Sequence, residues 1–184
     1  MRVIAGQCKG RKLHPPKGLP IRPTADHLRE SVFNILVGQT EGARVLDLFA
    51  GTGSLGIEAL SRGARSCVFI DKSRQAVDLI RRNLATCRFT DRGTVLQKDI
   101  LRGLEFLTPG GLEFDLVFAD PPYEKGYVKP VLESLNACDS ILDDGAIVVE
   151  HSRSEVVPEE MTHLWRSSQR RYGKTLVSFY EFML

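Results

Sequence analysis

Residues 47–58, Asp47-Leu48-Phe49-Ala50-Gly51-Thr52-Gly53-Ser54-Leu55-Gly56-Ile57-Glu58, join an apolar run, Ala43–Phe49, to a helical pattern, Leu55–Arg62. Gly51, Gly53 and Gly56 form a Gly-x-Gly-x-x-Gly spacing. Glycine at such a corner permits positive φ and lets a ligand approach the backbone closely. The same alternation continues downstream. Strand-like Cys67–Ile70 is followed by helical Arg74–Ala85, and Thr94–Gln97 by the short helix Leu101–Leu107. Leu116–Ala119 is followed by Tyr127–Cys138, and a turn at Asp143-Asp144-Gly145 leads into Ala146–Glu150. Strands alternating with helices predict an α/β fold, a mostly parallel sheet with helices on both faces.

Both ends of the chain depart from this pattern. Leu164–Arg171 and Thr175–Met183 are joined only by Tyr172-Gly173-Lys174, too short a link for anything but antiparallel pairing. At the front, Val3–Ala5 and Arg11–Leu13 flank a turn with Gly6 and Gly10 at its ends, a hairpin signal. Pro15, Pro16, Gly18, Pro20 and Pro23 then make an extended linker. Thr24 is placed to cap a helix, with Asp26 in its first turn and Leu28, Val32, Ile35 and Leu36 on its apolar face. The reading is a single domain over 1–184: a basic hairpin and linker over 1–23, a leading helix over 24–38 and a core over 43–184.

Composition excludes several classes. No stretch of the 184 residues approaches a membrane span, and the N-terminus lacks an apolar signal-peptide core. Cys8, Cys67, Cys87 and Cys138 are scattered, with neither metal-site nor disulfide spacing. No bound metal and a cytoplasmic location are therefore expected. Net charge is only +2, but residues 1–22 hold six basic groups and no acid, and Arg166, Arg170, Arg171 and Lys174 cluster near the end. Basic ends on an acidic centre suit a polyanionic partner.

Residues 114–123, Phe114-Asp115-Leu116-Val117-Phe118-Ala119-Asp120-Pro121-Pro122-Tyr123, are the second decisive stretch. A strand that meets two prolines must stop. Asp120 is then held at the carboxyl end of a strand, where open α/β sheets bind ligands, and Tyr123 is offered as a flat aromatic face. Asp120-Pro121-Pro122-Tyr123 resembles the catalytic motif of S-adenosylmethionine-dependent methyltransferases that act on exocyclic amines. The resemblance implies that the Asp120 carboxylate and a backbone carbonyl accept the amine N–H groups, that Pro121 and Pro122 stiffen the loop, and that Tyr123 stacks on an extruded base. It also implies a class I, Rossmann-like, seven-stranded sheet whose last strand runs antiparallel.

Asp71, 20 residues after Gly51, also fits a dinucleotide site, so a nicotinamide-dependent oxidoreductase is the rival from another class. A diphosphate wants free N–H groups at a helix N-terminus. A carboxylate such as Asp47 suits a cationic amino acid better, and the oxidoreductase leaves Asp120–Tyr123 unexplained. Matching the methyltransferase motifs puts Asp47, Ala50, Gly51, Thr52 and Gly53 around the methionine part of S-adenosylmethionine. It puts Asp71 on the ribose beside Lys72, where the resembled enzymes more often have glutamate. Asp99 would accept from the adenine amine, with Ile100 against the ring; alone, Asp99 is equally a helix cap.

The resemblance then narrows. Residues 1–13, the stretch from Arg22-Pro23-Thr24 to Asn34, Leu46–Ala64, Asp120–Tyr123 and Tyr172–Thr175 are together similar to the bacterial RsmD family, in order and over nearly the whole chain. Its members are 16S ribosomal RNA (guanine-N2)-methyltransferases that use S-adenosylmethionine, need no metal and prefer assembled or partly assembled 30S particles. A monomer is expected, and with this resemblance Arg2, Lys9, Arg11, Lys12, Lys17 and Arg22 would meet the RNA, with Arg170 and Arg171 contributing and Thr24 near the cofactor. A DNA adenine or cytosine N-methyltransferase would share Asp120–Tyr123, but it normally carries a target-recognition region for which this chain has little room.

Overall fold

A computed structural model describes residues 1–16 and 23–183. The expected residues Lys17 and Arg22 lie outside these, as does the side chain of Thr24. The described elements are α1 (Pro23–Ile35), β1 (Arg44–Leu48), α2 (Ser54–Ser61), β2 (Ser66–Asp71), α3 (Arg74–Cys87), β3 (Gly93–Gln97), β4 (Phe114–Ala119), α4 (Val128–Asn136), β5 (Ile141–Ser152), β6 (Leu164–Tyr172) and β7 (Thr175–Phe182). The seven strands form one sheet in the order β3-β2-β1-β4-β5-β7-β6. β1 to β5 are parallel, and β7 runs antiparallel to both β5 and β6. The order reverses between β1 and β4, which opens a crevice at their carboxyl ends.

Strand periodicity divides the core in two. Val45, Cys67, Phe69, Leu116, Phe118, Val148 and Val177 face α1, α2 and α3. Leu46, Leu48, Val68, Ile70, Val117, Ala119, Ile147 and Val149 face α4 and the turns after β3. Gly56 lets α2 lie against β2, since a Cβ there would come within 2.3 Å of the Phe69 ring and 2.5 Å of Cys67 Sγ.

Several local expectations change. α1 begins at Pro23 rather than after a Thr24 cap; proline suits the first helical position because it has no N–H to leave unpaired. Its buried stripe is Leu28, Arg29, Val32, Phe33 and Leu36, which leaves Ile35 at the edge, 40% exposed. The single helix expected over Leu101–Leu107 is two 3₁₀ turns, Ile100–Arg102 and Glu105–Gly110, separated at Gly103 with φ 98°. Asp143-Asp144-Gly145 does not precede β5 but lies inside it as an irregularity in the β4 register. A side chain at Gly145 would stand 2.8 Å from the Leu142 carbonyl, so the backbone can fold this tightly only around glycine.

The N-terminal hairpin stays outside the sheet and is fastened to it. Its pairing is one bridge, Arg2 with Lys12, flanked by Val3 N–H to Arg11 C=O (3.0 Å) and Leu13 N–H to Met1 C=O (3.2 Å). Val3 and Leu13 enter the helical-face core. The fully buried Glu58 carboxylate accepts from Ile4 N–H (2.8 Å), Ala5 N–H (3.0 Å) and Arg62 Nε (2.7 Å), with Arg29 Nε at 3.7 Å. Ser61 Oγ accepts from Cys8 N–H and donates to Ala5 C=O, at 2.9 and 2.6 Å. Arg29 pairs with Asp26 (3.0 Å) rather than with its neighbour Glu30, and it donates to Arg2 C=O (2.7 Å). Glu58, Ser61 and Arg62 of the Leu46–Ala64 stretch and Arg29 of α1 therefore meet at one buried knot. Because removing one partner of a buried ion pair strands the other, Glu58→Ala should cost about 3 kcal/mol. Urea unfolding reads that loss, with earlier proteolysis of residues 1–14 as its local sign.

Candidate active site

Each parallel strand delivers its carboxylate to the same edge. Asp47 is the fourth residue of β1, on the α2 face, and only 1% exposed. Among the described residues its hydrogen bond comes from Gly56 N–H, 3.0 Å away. Asp71 closes β2 and holds the glycine corner: one carboxylate oxygen accepts from Gly51 N–H (3.0 Å), the other from Ser73 N–H (2.8 Å). The corner itself turns through three successive left-handed residues on alternate positions, Phe49 (φ 56°), Gly51 (56°) and Gly53 (74°). Asn83, fully buried on α3, fixes it from behind by donating to Thr52 C=O (2.9 Å) and to His14 C=O. Ala50 is buried beneath it. Among the described residues, a side chain at Gly51 would find only the Phe49 carbonyl, at 3.8 Å, so these leave space open above it.

Beyond β3, Asp99 accepts from Leu101 N–H (3.2 Å) and caps the first 3₁₀ turn. Ile100 is 2% exposed and belongs to the α4-side core, so it backs the site from below. Lys72 is exposed, with its ammonium 5.7 Å from the Tyr127 ring. Tyr127 lies nearly parallel to Phe49, at 14° and 6.5 Å between centroids. Neither aromatic was expected here. Phe49 lies within the quoted corner, where the sequence pattern predicts only the end of a strand.

Asp120 follows the last residue of β4, and its N–H donates to Leu48 C=O of β1 at 3.4 Å. Pro121 is buried; Pro122 and Tyr123 are exposed. Ala119 is paired with Val149, so one step further Asp120 and Glu150 sit side by side and point to the same face. That face is the one toward which Asp47 points. Burial and the nearby Glu150 and Asp47 hold the Asp120 carboxyl well above the ordinary carboxylate range. Burial likewise raises Glu150. Glu150 accepts the phenol O–H of Tyr123, whose oxygen also lies 3.1 Å from Thr175 Oγ1. Glu150 and Thr175 were missed in the sequence. The available signal was that Ala146–Glu150, like the strands before it, ends in an acid.

The basic residues divide. The β6–β7 turn lies beside the end of β5, with Ser152 opposite Thr175 and Arg153 N–H on Lys174 C=O. Exposed Arg170, Arg171, Lys174 and Arg153 therefore stand on the edge that carries Asp120. Arg2, Lys9, Arg11 and Lys12 are exposed along the hairpin. That hairpin starts near Thr52 but turns beside Ser61 and Cys87, at the far ends of α2 and α3. No group of three metal-ligating side chains occurs among the described residues.

Burial, offset by the Gly56 N–H and reinforced by Asp71, pushes Asp47 up to about 8. The folded protein holds a proton on Asp47 that the unfolded chain releases near pH 4, so this residue's contribution to stability declines as pH rises from about 4 toward 8. Asp47→Asn should leave stability unchanged near pH 4 and raise it at pH 8, measured by denaturant unfolding of the ligand-free protein across that range.

A family model described as conserved hypothetical protein 95 matches residues 1–181. The Bacillus subtilis protein YlbH is 39% identical over 181 residues, 98% of either chain. Ribosomal RNA small subunit methyltransferase D of Escherichia coli K12 is 35% identical over 158 residues, 86% of this chain and 78% of that one. The solved structure of yhhF from Escherichia coli superposes with a TM-score of 0.83 at 32% identity, covering 99% of this chain and 97% of that one. A match spanning nearly the whole length, on a sheet with these carboxylates at its edge, makes the chain a member of the RsmD family.

Proposed function

We propose that this chain transfers a methyl group from S-adenosylmethionine to the N2 amine of one guanine in 16S ribosomal RNA. The observation that carries the reading is Asp120, held between β1 and β5 at the carboxyl edge of the sheet and followed by Pro121, Pro122 and Tyr123. The family relationship supports methylation of small-subunit ribosomal RNA. The choice of guanine N2, and of an assembling 30S particle over naked RNA, follows from the family resemblance.

The residues present fit the cofactor. Asp47 is a buried carboxylate with no cation beside it among the described residues, Asp71 ends β2, and Asp99 lies just past β3. Such a donor set repels a diphosphate and favours a ligand with an ammonium and a sulfonium. The open space over Gly51 is room for its backbone approach. The cofactor supplies an electrophilic methyl group. Asp47 and the Ala50–Gly53 corner bind the methionine end, Asp71 the ribose with Lys72 nearby, and Asp99 the adenine amine over Ile100; the family resemblance adds Thr24 to this set.

The target amine is a poor nucleophile because its lone pair is delocalised into the base. Asp120, in its ionised form, accepts one N–H of that amine, and a carbonyl of the proline pair accepts another. Both stabilise the positive charge that grows on nitrogen during attack, and both are fixed before the base arrives. Tyr123 offers a ring face to the extruded base. Placing amine and methyl donor in line supplies much of the acceleration, and no covalent enzyme intermediate is needed. Arg170 and Arg171, with Lys174 and Arg153 beside them, grip phosphates at the site's own edge. Arg2, Lys9, Arg11 and Lys12 extend the footprint along the hairpin, and the family resemblance adds Lys17 and Arg22, which lie outside the described residues. The protein works as a metal-free monomer in the cytoplasm, where the small subunit is built.

The test is methyl transfer from labelled S-adenosylmethionine to under-methylated 30S particles, naked 16S RNA and duplex DNA, with nucleoside analysis. N2-methylguanosine from the 30S sample is expected, and methyladenine or methylcytosine in DNA would replace this reading by a DNA N-methyltransferase. Asp120→Ala should lower kcat about a thousandfold, on the scale of a lost preorganised hydrogen-bond partner, while cofactor binding by calorimetry changes little. Arg170→Glu with Arg171→Glu should raise KM for RNA and flatten its salt dependence by about two phosphate contacts; kcat at saturating RNA should hold.

A further inference from the structure

The catalytic loop is tied down by residues that the proposed chemistry does not use. Tyr123 is 37% exposed, and a tyrosine at that exposure needs no partner to satisfy its hydroxyl. It nevertheless has two, on two different strands: Glu150 of β5 and Thr175 of β7. Both partners are placed by the sheet. Glu150 is opposite Val177 in the β5–β7 register, and Thr175 lies two residues before Val177, so their side chains share a face. Beneath Glu150 the lining is apolar, with Phe118, Ala119, Val148 and Val177 around a cavity of about 10 Å³. A carboxylate over such a floor finds its polar partner sideways, in the phenol. The loop is fastened a second time just beyond: Glu124, at φ 58°, accepts from Ser154 Oγ at 3.1 Å.

We propose that Glu150 and Thr175 are positioning residues for the methyl transfer: together they clamp the Tyr123 phenol, so that the ring stands as a fixed wall for the incoming base beside Asp120. This role rests on the methyltransferase reading above. A free tyrosine at a loop tip samples its rotamers, and each orientation places the stacked base differently against Asp120. The clamp removes that freedom before binding, which lowers the ordering cost at the moment of reaction. Thr175 directly follows the Tyr172-Gly173-Lys174 turn, so the clamp is anchored in the same hairpin that carries Arg170 and Arg171.

A double-mutant cycle tests it. Glu150→Ala and Tyr123→Phe should each lower kcat on 30S particles by about tenfold to a hundredfold, the scale of a misplacement near 1 Å, with cofactor affinity unchanged by calorimetry. The double variant should be no worse than the poorer single one, because both remove the same link. Glu150→Gln should recover most of kcat, since its amide oxygen still accepts the phenol, and Thr175→Val should show a smaller loss. A readout independent of turnover is the NMR titration of tyrosine ring carbons, with Tyr123 assigned by its loss in Tyr123→Phe. Burial, Glu150 and Asp120 hold the Tyr123 phenol protonated past the ordinary tyrosine range, Thr175 opposing them. In Glu150→Ala its titration should move down toward that range. Multiplying single effects, a Glu150→Ala enzyme within twofold of wild type, or an unmoved Tyr123 titration would overturn the clamp while leaving an active methyltransferase. A wild-type protein that transfers no methyl group would overturn the functional reading and this role with it, whatever the titration shows.

Discussion

Asp47 is a carboxylate buried beside Val45, Leu46 and Leu48, and among the described residues no cation answers it. Taking a charge out of water is costly unless it is paired, and the single Gly56 N–H that reaches it does not cancel that cost. In the ligand-free protein the carboxyl relieves the strain by keeping its proton. The cationic ligand proposed above would remove the need. Asp120 and Glu150, one and two strands away, are likewise raised by burial. Under that reading, desolvation that would be a defect elsewhere becomes a source of affinity for positive charge.

Glu58 shows the opposite solution within the same chain. It is as buried as Asp47, yet two backbone N–H groups and Arg62 satisfy it, with Arg29 close by. A carboxylate with that many donors has nothing left to offer a ligand. Its work is to hold the hairpin and α1 against α2. The two acids lie eleven positions apart on one strand–turn–helix unit, and the count of donors around each separates the ligand site from the structural knot.

Most of the sheet was legible because its strands announce their ends. Apolar runs stop at Asp71, at Asp120 before two prolines and at Glu150, and glycine marks the corner after β1. The carboxylates proposed to hold the cofactor stand out in the sequence for the same reason, since they sit where runs stop. What was not legible depends on contacts between distant positions. Nothing near Glu58 in sequence reveals that its partners are Ile4 and Ala5. Glu150 gains its role only from the register that sets it beside Asp120, and Thr175 from the reversal of β7. The turn expected at Asp143–Gly145 failed because turn residues also serve a bulge inside a strand. Ile35 fell outside the buried stripe because Phe33 completes it, held against Phe118 at 5.4 Å between ring centroids.

The antiparallel β7 has a consequence for where RNA can be held. In a parallel sheet, the connection entering a strand lies at the amino edge, away from the ligands. A parallel seventh strand would therefore carry the Tyr172–Lys174 turn to the wrong side of the molecule. Because β7 runs the other way, its first residue, Thr175, is level with the end of β5 and opposite Ser152. The turn that precedes it, with Arg170 and Arg171 on the strand leading in, stands at the same edge as Asp120. One reversed strand thus brings a cationic hairpin and the partner of the Tyr123 phenol to a site whose other walls are acidic.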